Sequence, residues 1–229
     1  MSGAREAILG RISKAISEGG APARCAREAG ANERLRAKTP GILPAGSKVS
    51  DKEAVKLFTR KAQAVDTTVS RIDAASDIAS AVVEYLNANN LPMALRHGAD
   101  PLLDEAGWSE EPLLETVAGP SDGSDLVGLS VADGAIAETG TLILTSGPDN
   151  PTTLNFLPEH HIVVLPIQRI HGSLEDALRK TAVTASDKAD SILPRVINMI
   201  TGPSRSGDVE QQIVLGAHGP RALHIILVG

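Results

Sequence analysis

Two short stretches of the sequence hold residue types that could do chemistry, and the first is Ala-Ile-Ala-Glu-Thr-Gly-Thr-Leu-Ile-Leu at 135–144. It places one carboxylate, Glu138, inside an otherwise apolar and β-rich run. A carboxylate in such a run must pair, stay protonated or face an arriving ligand. The glycine indicates a tight turn, which we expect at the edge of the parallel sheet and near residues 201–208. Such a turn would suit Glu138 to acid, base or nucleophilic chemistry. A Glu138 bound structurally to a backbone amide, or to an arginine such as Arg205, is the alternative.

The second stretch is Thr-Gly-Pro-Ser-Arg-Ser-Gly-Asp at 201–208, after a β-rich run and before a predicted helix over 209–215. Its small residues would let backbone amides approach an anion, and Arg205 could fork onto a carboxylate or phosphate. Asp208 stands where a nucleotide-binding phosphate loop needs lysine, which argues against a nucleoside triphosphatase. An ordinary turn with a Ser or Asp helix cap is the alternative.

A third loop, Ala-His-Gly-Pro-Arg at 217–221, carries His218 as a candidate base or as a hydrogen-bonding turn residue. It would lie on the opposite side of the sheet from 201–208 unless the chain folds back. The predicted catalytic residues are Glu138 and His218, and the predicted substrate- or anion-binding residues are Thr139, Gly140, Thr141, Gly202, Ser204, Arg205, Ser206 and Gly219.

The sequence offers weak support for a metal site. His160 and His161 are adjacent, so on a strand their side chains would point to opposite faces. Cys25 is the only cysteine, which excludes an internal disulfide framework and any four-cysteine zinc or iron–sulfur site within the chain. We therefore expect no metal and no cofactor bound by this chain, and a reducing cytoplasmic location.

Composition indicates a layered α/β protein. The 229 residues are 42% hydrophobic but only 2% aromatic, so the core must be built from aliphatic side chains. Such a core is typical of sheets covered by helices. The shortage of aromatic residues argues against nucleic-acid binding by base stacking, and no apolar run is long enough to predict a membrane span.

The order of predicted elements divides the chain into two parts. Helical patterns cover 3–18 and 24–38, and a third helix begins at a Ser50–Glu53 capping box. From Val65 onward, β-branched runs alternate with helical ones, which predicts a mainly parallel sheet. We expect a basic helical extension over 1–61 and an α/β domain over 62–229. The first part holds 13 Lys and Arg against 6 Asp and Glu, and the second holds 9 against 22.

The two stretches together resemble a known family. The runs AIAETGTLILTSGPDNPTTLNFLPEHHIVV and ITGPSRSGDVEQQIVLGAHGPRALHIILV are similar to the LUD domain of the lactate utilization protein C family. The resemblance implies a three-layer α/β fold like that of the glucosamine-phosphate isomerase, ribose-phosphate isomerase and CoA-transferase superfamily. It also implies a role in oxidising L-lactate to pyruvate, with iron–sulfur clusters on partner subunits, one an iron–sulfur protein and one rich in cysteine. Glu138 is the position most similar in setting to the acyl nucleophile of CoA transferases.

Three functions remain open at this point. The chain could be the cluster-free component of a lactate-oxidising system, in which Arg205 clamps a small carboxylate, His218 accepts a hydroxyl proton and Glu138 orients or relays it. It could be a free-standing enzyme of the CoA-transferase or sugar-phosphate-isomerase type, with Glu138 as base or nucleophile. It could also be an assembly module whose basic helices bind a partner subunit. Whether the chain is catalytic by itself does not follow from the sequence.

Overall fold

The computed structural model describes residues 2–17, 20–37, 47–186, 194–209 and 212–229, which fall into two compact units, 1–42 and 43–229. The division lies earlier than the boundary expected between 61 and 62. Residues 51–63 form a helix whose Phe58 and Ala62 are fully buried in the core of the second unit. Because that helix supplies core side chains, it belongs to the α/β unit.

The first unit contains two helices, α1 (Ser2–Ser17) and α2 (Gly20–Ala37). The guanidinium of Arg27 on α2 donates to the backbone carbonyl of Ile16 at 2.8 Å. The large apolar side chains of α1 are each about half exposed: Ile8 59%, Leu9 51%, Ile12 50% and Ile16 55%. Cys25 lies exposed on α2.

The second unit alternates strands and helices, as the sequence predicts. Its helices are α3 (Asp51–Gln63), α4 (Ile78–Ala88) and α5 (Leu174–Ser186). Its strands are β1 (Thr68–Ile72), β2 (Ala94–His97), β3 (Glu115–Ala118), β4 (Val127–Val131), β5 (Gly134–Ile136), β6 (Thr141–Thr145), β7 (His160–Pro166), β8 (Ile170–His171), β9 (Ile197–Ile200), β10 (Arg205–Val209), β11 (Gln212–Leu215) and β12 (Ala222–Val228). The capping box of α3 is present, because the Ser50 amide donates to the Glu53 carboxylate at 3.0 Å.

A six-stranded parallel sheet forms the centre of this unit, in the order β1-β12-β7-β4-β2-β3. Its inner strands β4, β7 and β12 are almost wholly buried, which explains their continuous apolar sequences. One face packs on α4 through residues such as Val82, Leu86 and Ile162. The mainly parallel sheet predicted from the sequence is confirmed.

A second sheet, in the order β8-β5-β6-β9, covers the other face of the parallel sheet together with α3. Leu142 and Leu144 of β6 share a core cluster with Phe58 of α3 and with Val163 of β7. The opposite face of the second sheet packs on α5 through Ile143 and other residues. The α4 layer, the two sheets and the α5 layer form a layered α/β unit.

Two local predictions are wrong. The helix expected over 209–215 is replaced by an antiparallel pair, β10 with β11, in which Ser206 lies opposite Val214. The β-branched residues of this segment favour a strand, and the neighbouring strand supplies the partner that a helix would not use. The Glu138 turn was expected at the edge of the parallel sheet, but it joins β5 to β6 in the second sheet.

No helix in the described parts of the chain is both long and apolar enough to cross a membrane.

Candidate functional site

Glu138 lies at the turn of the β5–β6 hairpin, and its carboxylate Oε1 accepts a hydrogen bond from the backbone amide of Leu174 at 3.1 Å. Leu174 is the first residue of α5, and the hydroxyl of the preceding Ser173 accepts from the Asp176 amide at 3.2 Å. A carboxylate at a helix N-terminus satisfies a free amide and interacts favourably with the helix dipole. Glu138 is therefore an N-terminal cap of α5. Of the alternatives for Glu138, the structural bond to a backbone amide is the one observed.

Three threonine hydroxyls connect this hairpin to the second predicted stretch. Thr141 lies within 2.7 Å of Thr139 on one side and within 2.7 Å of Thr201 on the other, in each case between Oγ1 atoms. The pairing of β6 with β9 positions them, since Leu142 lies opposite Ile200. Residues 135–144 and 201–208 are therefore close to each other, as expected, and the contact between them is made by the threonine hydroxyls.

The glycines of both stretches serve close packing against the end of α3. Gly140 has φ +71°, and a Cβ there would lie 2.6 Å from the Ala62 backbone nitrogen. Gly202 has φ +75°, and a Cβ there would lie 2.6 Å from the Val65 carbonyl oxygen. Only glycine fits such positions without displacing the neighbouring backbone. These contacts account for both glycines without a bound anion.

Arg205 forms an ion pair with Asp66 and has no hydrogen bond or ion pair with Glu138 among the described contacts. The two side chains are 39% and 75% exposed, so the pair is at the surface. An exposed pair of this kind contributes only about 0–1 kcal/mol, so the arginine can exchange partners readily. The alternative of a Glu138–Arg205 ion pair is therefore wrong, since each residue has its own partner.

The 217–221 loop folds back beside the start of β10. The Ser204 amide donates to the Pro220 carbonyl at 2.8 Å, and the Gly216 amide donates to the Ser204 carbonyl at 3.0 Å. His218 is exposed in this turn, and Gly219 packs near Ser204 and Phe156. The structure therefore brings Ser204 and Gly219 together. It shows no described contact between His218 and Glu138.

A buried polar chain that the site prediction omitted lies on the face of the parallel sheet turned toward the second sheet. His161 Nε2 is 3.1 Å from the hydroxyl of Ser130, and that hydroxyl donates to Asn155 Oδ1 at 3.2 Å. All three side chains are at most 1% exposed. His161 Nδ1 and Asn155 Nδ2 have no hydrogen-bond partner among the described residues. Burial lowers the pKa of His161 from its ordinary value of 6.5 to about 3, so the imidazole is neutral at physiological pH.

The opposite face of the same sheet carries a second histidine cluster. Tyr85 of α4 stacks on the His224 ring with centroids 4.5 Å apart, and its hydroxyl lies 2.9 Å from His160 Nδ1. Thr68 and Ser70 contact the two ring nitrogens of His224 at 2.8 and 3.1 Å. Burial lowers the pKa of His224 to about 4. His160 and His161 thus point to opposite faces, as expected, and each is buried with its own partners.

The sequence did hold a signal for both clusters. Ser130, His161 and His224 each interrupt an apolar strand, and an uncharged polar residue at a core position must find a partner. Nothing in the sequence states which partner that is. Among the described residues, no group of three or more His, Cys, Asp or Glu side chains is placed to hold a metal ion.

Comparison with known protein families finds a match over the C-terminal half of the α/β unit. Residues 124–228 match the LUD domain family, a range that contains the Glu138 hairpin, the 201–221 segment and the His161–Ser130–Asn155 chain. Over these residues the chain is similar to the LUD domain family. The match begins just before β4 and extends through β12, so it includes the central strands of both sheets.

Curated relatives of this chain include lactate utilization protein C of Halalkalibacterium halodurans, 34% identical over 102 residues, which are 44% of each chain. Lactate utilization protein C of Geobacillus thermodenitrificans is 33% identical over 104 residues, 44% of this chain and 42% of that protein. A Neisseria meningitidis protein described only as uncharacterized is 29% identical over 145 residues, 60% of this chain and 59% of its own. The chain thus spans less than half the length of the lactate utilization proteins that it matches.

A solved structure of a DUF162 family protein from Deinococcus radiodurans has the same fold. It superposes with a TM-score of 0.59 at 20% identity and covers 79% of this chain and 99% of that one. The layered α/β architecture is therefore shared with a protein of low sequence similarity.

Proposed function

We propose that this LUD-domain chain serves in L-lactate utilization, as a component without an iron–sulfur cluster that works beside cluster-bearing partner subunits in the oxidation of L-lactate to pyruvate. The observation that carries the proposal is the match to several relatives named lactate utilization protein C at 31–34% identity. The single cysteine supports assigning electron transfer to partners, since cluster ligation needs several thiolates.

In this proposal a small carboxylate binds near Arg205 and the linked hydroxyls of Thr139, Thr141 and Thr201. Thr139 is exposed and hydrogen-bonded to Thr141, so it presents a hydroxyl oriented by its neighbour. Arg205 follows Thr201 closely in sequence, and its pairing with Asp66 is exposed and weak. A carboxylate ligand could displace Asp66 and form a bidentate pair with the guanidinium.

Deleting the gene and measuring growth on L-lactate as sole carbon source tests this role. We expect growth to fail on L-lactate and to persist on a sugar, and the intact gene to restore it. Complementation with Arg205→Ala should restore growth poorly, whereas Arg179→Ala, which removes an exposed arginine paired with Asp176 on α5, should restore it fully. Normal growth of the deletion strain on L-lactate would disprove the proposal.

The partner subunits are tested separately. Affinity purification of the full chain from lactate-grown cells should recover proteins that carry iron and acid-labile sulfide, with a visible absorption spectrum that the purified chain lacks. Recovery of the chain without any iron-bearing protein would disprove the proposed partner subunits. The role in lactate utilization would then depend on the growth experiment alone.

The exposed apolar stripe of α1 favours an assembly role as a second candidate. Ile8, Ile12 and Ile16 lie on one face, and an exposed row of large apolar side chains is typical of a helix that binds a partner. Changing all three to serine in the full chain should abolish co-purification. Leu113→Ser, which changes an 83% exposed leucine of the second unit, is the matched control and should leave it intact.

A free-standing CoA-transferase-like activity has less support from the geometry. Its nucleophile would be Glu138, whose carboxylate is half-buried and already hydrogen-bonded to the first amide of α5. A nucleophilic carboxylate must leave such a bond to attack a thioester, which adds to the barrier.

A further inference from the structure

The buried chain of His161, Ser130 and Asn155 has a defined hydrogen-bond direction. The Ser130 hydroxyl has one proton, which it donates to Asn155 Oδ1 at 3.2 Å. It must therefore accept from His161 Nε2 at 3.1 Å, so the single proton of the neutral imidazole is on Nε2. Nδ1 is then left with a lone pair, and the Asn155 amide is left with a free N–H donor.

The two open ends form a donor and an acceptor, and this does not depend on how the amide is oriented. Rotating the Asn155 amide by about 180° reverses each bond of the chain and again leaves one donor and one acceptor open. Leaving a buried donor or acceptor unsatisfied costs the hydration that the group had in the unfolded chain. The natural occupant is a group that donates one hydrogen bond and accepts one.

We propose that His161, Ser130 and Asn155 form a hydroxyl-recognition site, which binds the alcohol group of a small hydroxy compound. The alcohol O–H donates to His161 Nδ1, and the alcohol oxygen accepts from Asn155 Nδ2. A ketone oxygen can only accept, so it leaves the Nδ1 lone pair unsatisfied. The site therefore selects an alcohol over the corresponding ketone.

The absence of charge on these three side chains determines which part of a ligand can bind among them. None of the three side chains carries a charge at neutral pH, because burial keeps the pKa of His161 well below its ordinary value. A carboxylate placed among them would be buried without a counter-charge, which is strongly unfavourable. The hydroxyl end of a ligand enters the chain, and any carboxylate end stays outside it. His161 acts here as a hydrogen-bond acceptor.

The segment that carries Asn155 is the natural cover of this site. Leu154 and Pro158 lie against Gly128, the residue beside His161 in the sheet. The same segment exposes Phe156 and Leu157, at 42% and 47%. Because His161, Ser130 and Asn155 are at most 1% exposed, a ligand reaches them only when residues packed around them move.

The test uses the unaltered full chain with 15N-labelled histidine, and the NMR resonance of His161 Nδ1 is followed. The choice of L-lactate and pyruvate as the first probe pair rests on the proposed function; 2-hydroxybutyrate and 2-oxobutyrate form a second pair that does not. Within each pair the carboxylate is the same and only the hydroxyl changes to a ketone. We expect the hydroxy acid to move the resonance and to bind at least about tenfold more tightly than the oxo acid.

Two serine variants supply matched controls. Ser130→Ala removes a hydroxyl 3.1 Å from His161 Nε2, and Ser70→Ala removes a hydroxyl 3.1 Å from His224 Nε2 on the other face of the same sheet. Ser130→Ala should weaken hydroxy-acid binding about tenfold, and Ser70→Ala should change it less than about twofold. If Ser130→Ala does not fold, the comparison of hydroxy and oxo acids on the unaltered chain decides the proposal.

Three results would overturn it. No ligand-dependent movement of the His161 resonance would mean that neither hydroxy acid binds at His161. Equal movement by hydroxy and oxo acids would remove the hydroxyl selectivity, and equal weakening by the two serine variants would indicate a general effect on the fold. Normal growth of the deletion strain combined with a resonance that moves with 2-hydroxybutyrate would retain the site and reject the lactate role.

Discussion

Acid should destabilise this protein well above the pH at which carboxylates titrate, because its buried histidines are held neutral. Burial lowers the pKa of His161 to about 3 and that of His224 to about 4, against 6.5 for an accessible histidine. Above the ordinary histidine pKa both the folded and the unfolded chain leave these rings neutral. Below it the unfolded chain binds protons that the folded chain cannot bind, so the free energy of unfolding falls as the pH falls.

The size of the effect follows from the two shifts. Each histidine should lower the free energy of unfolding by about 1.4 kcal/mol per pH unit once the pH is below about 6. Between about pH 7 and about pH 5 this amounts to about 2 kcal/mol for each ring and about 4 kcal/mol for both. Burial lowers the pKa of His160 and His171 too, which adds to the loss. A loss of this size is a large fraction of the 5–15 kcal/mol, roughly, that stabilises a typical domain.

Urea denaturation of the full chain at a series of pH values measures this directly. His161→Asn should reduce the slope of unfolding free energy against pH by about 1.4 kcal/mol per unit. Val163→Ala, on the same face of the same strand, is the control: it removes buried methyl groups, lowers stability at every pH and leaves the slope unchanged. A flat profile between about pH 7 and about pH 5, or an unaltered slope in His161→Asn, would refute the reasoning.

Three further predictions concern the residues of the two motifs. Gly140→Ala should lower the free energy of unfolding in urea by about 2–5 kcal/mol, since the new Cβ would overlap the end of α3 at a positive φ; a loss below about 1 kcal/mol would contradict that packing. Glu138→Gln should cost about 0.5–1 kcal/mol and speed hydrogen exchange at the Leu174 amide; loss of lactate-dependent growth with stability and exchange unchanged would instead support a chemical role. Asp66→Asn, which keeps a residue type that tolerates the φ of 61° at this position, should change stability by less than about 1 kcal/mol and strengthen carboxylate binding, measured by calorimetry, by freeing Arg205; weaker binding would count against the clamp.

The apolar strands and the amphipathic helices follow from the sequence by itself. Continuous aliphatic runs such as 161–165 predict buried parallel strands, and the alternation of side chains along a strand places His160 and His161 on opposite faces. The capping box at Ser50 is local chemistry between residues three apart, and it too is read without a structure.

The tertiary structure decided which of these residues meet. Glu138 reaches the amide of Leu174, 36 residues later, and Arg205 reaches Asp66 across 139 residues, so no local pattern could distinguish these partners from each other. Residues 212–215 form a strand because β10 lies beside them, which outweighs a helical pattern. Sequence periodicity reports the face on which a side chain lies. Only the packing of distant segments determines what that face contacts, and so whether a buried histidine ends with two partners, as His224 does, or with one open nitrogen, as His161 does.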